Sequence, residues 1–188
     1  MGDLRTKRTY KLLQDSLFEL LLKKPFDEIK VNDICDLAMI HRTTFYTHFS
    51  DKYELLEYSI SEVEKEITSN LKPYAYSSIE DFYTNMVMCV LNYIDTHRKF
   101  FRSLLKKNEN TGFLKIFHHT CTSYMKEMLD KEEETGISHT VPTEIISEFY
   151  AGAVISTIGW WVKTNSKLSK EELCTYIIKL IFENPHDK

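Results

Sequence analysis

The chain has 188 residues, a formal net charge of −4 and a hydrophobic share of 43%. That size and composition suffice for a hydrophobic core, so stability requires neither disulfides nor a structural metal. Glycine (5) and proline (4) are scarce. Runs of alternating β-branched residues are absent, which argues against a sheet, and we therefore expect an all-α fold with short loops.

Charge and cysteine spacing narrow the class of protein. The first 52 residues carry 9 Lys/Arg and 8 Asp/Glu, whereas the remainder carries 15 and 20. A basic amino-terminal end on an acidic body would direct that end toward phosphates. The four cysteines stand far apart, which fits neither a zinc site nor a redox pair, so we expect no metal and no cofactor.

The sequence gives no sign of a membrane protein. The longest uncharged apolar stretch, residues 149–162, is shorter than the roughly 20 residues that span a bilayer. No secretory segment opens the chain. We therefore expect a cytoplasmic protein with no membrane partner.

Apolar residues at helical spacing predict the elements in chain order. A first helix over residues 5–24 is stopped by Pro25. Two short helices follow, over 31–38 and 42–49. A fourth helix, with a capping box at Asp51 and Glu54, continues to about residue 70. The remaining helices are expected near residues 78–96, 99–107, 111–131, 142–164 and 169–183.

The two short helices have the size of a DNA-reading helix-turn-helix. Phe45 and Phe49 lie four residues apart and must share the buried face of the third helix. The opposite face then carries hydrogen-bonding side chains and no acid: Thr43, Tyr46 and Thr47, with Thr44 and His48 at its flanks. Such a face suits phosphates and base edges, although an ordinary polar helix surface has the same composition. Lys52, in the first turn of the fourth helix, adds a possible phosphate clamp, or is a solvated lysine.

The run from Ile29 to Lys52 resembles the signature of the TetR/AcrR family of bacterial regulators. Its most distinctive part is Thr44-Phe45-Tyr46-Thr47-His48-Phe49, followed by Lys52 and Leu55. The similarity covers about residues 8–56 and is specific to that family. It implies a three-helix DNA-binding domain over 1–50 and a helical ligand-binding and dimerisation domain over 51–188.

The resemblance also implies roles for single residues. The second helix would cross the DNA backbone and the third would enter the major groove. Lys30 and Asn32 match DNA-contacting positions at the start of the second helix. The third-helix positions divide into base-reading Arg42, Thr43 and Thr47 and phosphate-anchoring Thr44, Tyr46 and His48, with Lys52 also on phosphate.

Two residues of the turn region depart from the family pattern. Met39 stands where the family usually has glycine, and a left-handed residue other than glycine costs about 1 kcal/mol or more, so a turn of different shape is expected. His41 stands where serine is usual and is a poorer helix cap.

The carboxyl-terminal helices carry more apolar surface than one neighbour would cover. By the resemblance, the last two helices pair across a twofold axis, and the expected dimer residues are Phe149, Ile158, Trp161, Ile177 and Ile181. Packing within one chain is the alternative for each of them. A dimer is also expected because one DNA-binding domain, or head, makes too few contacts with DNA for specific affinity.

The middle of the body is rich in aromatic and methionine side chains. They could form the wall of an apolar pocket for an apolar or aromatic effector, or simply the core of the bundle. The residues concerned are Tyr83, Met86, Tyr93, Phe101, Phe113, Phe117, Tyr124 and Met125.

Together these features predict a homodimeric regulator that binds an inverted-repeat operator in double-stranded DNA and releases it when a small molecule binds the body. An activator, or a regulator gated by a protein partner, is the alternative. Catalytic motifs are lacking, so a helical ligand-binding protein or enzyme without a DNA role is a weaker alternative.

Overall fold

The computed structural model describes residues 4–69, 71, 77–109, 111–164 and 166–183. Over these residues it contains nine α-helices, one short 3₁₀ helix and no strand, which confirms the all-α prediction. The helices are α1 (Leu4–Leu21), α2 (Val31–Ala38), α3 (Arg42–His48), α4 (Lys52–Thr68), α5 (Ile79–Thr96), α6 (Arg98–Lys107), α7 (Gly112–Glu134), α8 (Thr143–Lys163) and α9 (Lys170–Phe182), with the 3₁₀ helix Phe26–Glu28 between α1 and α2.

Several helices end at other residues than the sequence predicts. α1 ends at Leu21 because the N–H groups of Lys23 and Lys24 both turn back to the carbonyl of Leu20 ahead of Pro25. α4 ends at Thr68, and residue 70, its predicted end, lies outside the described residues. α7 runs three residues past its predicted end, to Glu134.

Side-chain caps fix the starts of three helices. Ser78 Oγ accepts a hydrogen bond from the N–H of Asp81 at 3.0 Å, and Ser169 with Glu172 forms a reciprocal capping box. At α4, Asp51 Oδ1 accepts from the N–H of Glu54. The Glu54 carboxylate, however, accepts from Ser50 instead of from the cap residue itself.

The described chain forms two compact units. The first joins residues 1–62 with 103–120, and the second joins 63–102 with 121–188. The division crosses α4, α6 and α7, so these three helices each continue from one unit into the other. The predicted boundary at residue 50 follows the end of the helix-turn-helix, whereas the first unit also takes in a segment between residues 103 and 120.

An apolar core holds the helices of the first unit together. Its fully buried side chains come from α1 (Leu13, Leu17, Leu21), α2 (Ile34), α3 (Phe45) and α4 (Leu55, Leu56). Tyr10 of α1 packs against the rings of His48, Phe49 and Tyr58 at 4.9–5.1 Å. Gln14 Nε2 donates to the carbonyl of Ser59, which ties α1 to α4 inside this core.

The turn between α2 and α3 keeps a left-handed residue although it is not a glycine. Met39 has φ 54° and ψ 42°, and its N–H closes the end of α2. The expectation of a differently shaped turn is therefore wrong. The Met39 side chain is 91% exposed, so no packing of its own offsets the conformational cost.

Two arginines hold the carboxyl end of α8 in the second unit. Arg98 lies over the Trp161 ring at 3.8 Å and donates to the Trp161 carbonyl at 2.9 Å. Arg102 Nε donates to the carbonyl of Val162. These carbonyls have no partner within the helix, so cationic donors there both cap the end and oppose its dipole.

α8 is also long and apolar enough to cross a membrane by length and composition, with 28% of its most apolar window buried. Its buried residues, which include Ala151, Ile158, Trp161 and Val162, belong to the core of the second unit. The fold thus accounts for part of the apolar surface of this helix.

Candidate DNA-binding interface

The third helix presents the face that the sequence predicts. Phe45 is fully buried and Phe49, just after the helix, is nearly so. Arg42, Thr43, Tyr46 and Thr47 are exposed, whereas Thr44 and His48 are half-buried at the flanks. No acidic side chain lies on this helix, so the exposed face can approach a phosphate backbone without repulsion.

Tyr46 is the largest side chain on this face and is 49% exposed. Its ring packs edge-on against Phe45, and the Arg42 guanidinium lies 5.8 Å from its centre. Thr47 Oγ1 donates back to the carbonyl of Thr43 at 2.8 Å. These intramolecular contacts hold the hydroxyl and guanidinium groups in place on the helix before DNA binds, which favours selective contacts with bases.

The carboxylate of Asp33 fixes the first turn of α2. The Asp33 carboxylate accepts from the N–H of Lys30 at 2.8 Å and pairs with Lys24 at 2.6 Å. The hydrogen bond from Lys24, and then that from the Lys30 N–H, lowers the pKa of Asp33. Lys30 and Asn32 are both exposed, and this anchored first turn places them on the surface beside the turn that precedes α2.

The side chain of Lys52 makes contacts that the sequence does not predict. Its ammonium donates to three carbonyl oxygens, those of Phe26 at 2.9 Å, Asp27 at 3.1 Å and Ile29 at 2.8 Å. It also lies 4.6 Å from the centre of the Phe26 ring. Burial lowers its pKa, and the charge of Asp27 opposes that shift. All three N–H donors are used within the head, so this geometry counts against the predicted phosphate contact, which stays a prediction.

The structure corrects the predicted dimer residues. Ile158, Trp161 and Ile177 are buried within the chain and are core residues of the second unit. Ile181 is half-buried. Of the five, only Phe149, at 69%, is largely exposed.

Other apolar side chains of α8 and α9 are exposed. At 100° per residue, Ile145, Phe149 and Trp160 fall within about 60° of one another around α8, and Tyr176 and Leu180 are neighbours on α9. All five are more than 45% exposed. We call these five residues the α8–α9 apolar face.

The eight predicted pocket residues are divided between the two units, and their role in ligand binding stays a prediction. Phe113 and Phe117, whose rings stack at 6.0 Å, belong to the first unit, and the other six belong to the second. Tyr83 donates to Glu132 at 3.5 Å, and Tyr93 packs against Phe101. None of the eight lines the open groove of about 320 Å³ between α5 and α9.

The body also holds ionisable groups that sequence reasoning missed. Burial, and then the charge of Glu127, raises the pKa of Glu64 to about 7. Burial, and then the charge of Glu64, raises the pKa of the Cys121 thiol to about 12. Glu64 follows Val63 in a charged stretch of α4, so no local pattern marks it as desolvated. Among the described residues there is no cluster of three metal-ligating side chains.

Comparison with known proteins identifies the family. Residues 15–58 match the profile of bacterial regulatory proteins of the tetR family, and residues 81–183 match that of a transcriptional regulator C-terminal region of the same family. The second match alone covers more than half of the chain. Both lie where the structure places the helix-turn-helix and the body.

Individual relatives are distant in sequence. The HTH-type dhaKLM operon transcriptional activator DhaS of Lactococcus lactis is 25% identical over 123 residues, which cover 65% of this chain and 59% of that protein. Lin0861 from Listeria innocua has a TM-score of 0.73 at 18% identity, covering 96% of this chain and 93% of its own. A TetR transcriptional regulator from Streptococcus agalactiae has a TM-score of 0.63 at 20% identity, covering 94% and 95%. With both segments matched and the fold shared, the chain belongs to the TetR family of bacterial transcriptional regulators.

Proposed function

We propose that the protein is a homodimeric, sequence-specific repressor that releases an inverted-repeat operator when a small apolar or aromatic molecule binds its body. The observation that carries the DNA-binding role is the exposed face of α3, where Arg42, Thr43, Tyr46 and Thr47 project from a helix whose other side is buried. A regulator of this kind acts on chromosomal DNA and therefore works in the cytoplasm.

The α8–α9 apolar face supports the dimer, with a second copy of this chain as its occupant. Several large apolar side chains exposed on the same helices are typical of an interaction site. The face lies on the two helices that the family uses for pairing, and two recognition helices are needed to read two half-sites. Phe149→Asp together with Leu180→Asp should therefore give a monomer by mass in solution. Ile137→Asp, which changes an exposed apolar residue outside the face, should leave the dimer intact.

Effector release requires the body to move the head. α4 runs from the first unit into the second, and we propose that an effector in the body shifts α4 and so changes the separation of the two α3 helices. A coupling free energy of about 1–3 kcal/mol gives a 5- to 150-fold change in operator affinity.

The experiment that tests this function is selection of random duplex DNA on the purified protein at stated salt concentration. An enriched inverted repeat, bound by a dimer, is the expected result. A folded dimer that enriches no sequence would contradict the proposal. Activation is the second candidate, favoured by the similarity to an activator. Placing the enriched sequence upstream of a reporter promoter separates the two, because deletion of the regulator raises expression for a repressor and lowers it for an activator.

A further inference from the structure

The DNA-binding unit includes a short stretch of the chain that lies far from the helix-turn-helix in sequence. We call this stretch, residues 107–109 with 111–112, the α6–α7 junction, and it contacts the turn that leads from α1 into α2. Three hydrogen bonds join them: Lys107 Nζ to the Lys23 carbonyl at 3.3 Å, the Phe26 N–H to Asn108 Oδ1 at 2.8 Å, and the Gly112 N–H to Asp27 Oδ1 at 3.1 Å.

Asn108 is the central residue of this junction. It is fully buried, and both ends of its amide are used. Oδ1 accepts from the Phe26 N–H, and Nδ2 donates to the Leu104 carbonyl at 2.9 Å. The Phe26 side chain is also fully buried. A buried N–H without a partner is strongly disfavoured, so the turn stays in place only while Asn108 supplies its acceptor.

Asp27 makes the reciprocal connection. Its carboxylate accepts from Gly112, the first residue of α7, whose N–H has no partner within the helix. A Cβ at position 112 would lie 3.2 Å from Asp27 Oδ1. The close approach of the carboxylate to this backbone is therefore suited to glycine.

The turn held in this way sets the start of the helix-turn-helix. Phe26, Asp27 and Ile29 supply the three carbonyls that bind Lys52 at the beginning of α4. Ile29 leads directly into Lys30 and α2. A displaced turn would therefore shift the start of α2 and, through the shared core, the reading face of α3.

We propose that Asn108 and Asp27 are positioning residues for DNA recognition, which makes the α6–α7 junction a structural part of the reading head. Neither side chain touches DNA in this role. The proposal rests on the proposed DNA-binding function and adds to it residues outside the family's helix-turn-helix signature.

The first test uses Asp27, which is exposed, so that its variants should fold. Asp27→Ala and Asp27→Asn both remove one negative charge, which by itself favours DNA binding. Only Asp27→Asn keeps an oxygen that can accept from Gly112. We expect Asp27→Ala to bind the selected duplex on the order of fivefold more weakly than Asp27→Asn, the loss typical of one hydrogen bond. Equal binding by the two variants would overturn the role of Asp27.

The second test compares Asn108→Ala with Leu104→Ala, which removes a buried side chain of the preceding helix α6 but no bond to the turn. Dissociation constants are measured well below both unfolding midpoints, so that all proteins are folded. We expect binding weakened about tenfold by Asn108→Ala alone, together with fast hydrogen exchange of the Phe26 amide. Unchanged binding, or equal losses in both variants, would overturn the positioning role of Asn108. Failure of the parent to select any duplex would instead overturn the proposed function.

Discussion

Lys52→Met separates a structural role of this lysine from a phosphate contact. The substitution keeps an unbranched side chain of similar length and removes three charged hydrogen bonds to backbone carbonyls. Bonds to charged groups contribute about 1.5–3 kcal/mol each. The ammonium is partly desolvated, as its lowered pKa indicates, and water can reach part of the site in the variant. We therefore expect a net loss of about 2 kcal/mol, well below the sum of the three bonds.

The assay is thermal unfolding followed by calorimetry, together with the salt dependence of DNA affinity. For a protein of this length, a loss of about 2 kcal/mol lowers the midpoint by about 4–8 °C. Lys7→Met is the matched control because Lys7 is an exposed lysine of the same unit. It should change the free energy of unfolding by less than about 0.5 kcal/mol.

A phosphate contact would give the opposite pattern. Removing one phosphate contact lowers the slope of log affinity against log salt concentration by about one unit and leaves the stability of the free protein unchanged. If Lys52→Met unfolds like the parent and loses one unit of slope, the carbonyl-binding role assigned here is wrong.

Four further substitutions test other parts of the molecule. Met39→Gly should stabilise the protein by about 1 kcal/mol in chemical unfolding, because it relieves a left-handed conformation and removes an exposed side chain; an unchanged midpoint would show that the turn is not strained. Tyr46→Ala should weaken binding to all duplexes by about fivefold without loss of stability, whereas Thr47→Ala should change the preferred base; parent-like binding by both would disprove the assignment of α3. Glu64→Gln tests whether the stability of the protein depends on pH through this carboxyl group. With a folded pKa of about 7 against an ordinary value of 4.5, the neutral carboxyl contributes stability that is present below pH 4.5 and lost as the pH rises through 7. Because the group is partly solvated, we expect the variant to exceed the parent by only about 1–2 kcal/mol at pH 8 and to match it at pH 4.5. Glu57→Gln, an exposed carboxylate of the same helix, should show no such dependence.

The fold and the outward face of α3 could be predicted because both follow from local periodicity. Phe45 and Phe49 fix which side of a short helix is buried, and the polar side chains follow from 100° per residue. Lys52 could not be placed in this way. Its position in the first turn of α4 follows from the local sequence, but the three carbonyls that it binds lie 23–26 residues earlier in the chain. They meet it only after the turn has folded onto the start of α4.

Two of the three predicted dimer residues on α8, Ile158 and Trp161, are buried within the chain for a different physical reason. This helix is apolar on nearly all sides, so periodicity cannot indicate which side meets the core and which remains outside. Trp160 and Trp161 show the consequence, since neighbours on a helix point about 100° apart. Trp161 is 1% exposed and Trp160 is 48% exposed. Identical side chains in adjacent positions thus have different surroundings, and only tertiary packing distinguishes them.

The turn between α1 and α2 connects these observations. At Phe26, the backbone N–H is held by Asn108 and the backbone carbonyl by Lys52, from two segments more than 50 residues apart. In the proposed arrangement neither residue contacts DNA, and replacing either one removes a hydrogen bond to the same turn. The family signature contains Lys52 but not Asn108, because a signature records a contiguous segment. The reading head that we propose therefore includes the residues hydrogen-bonded around Phe26, and it extends to the α6–α7 junction.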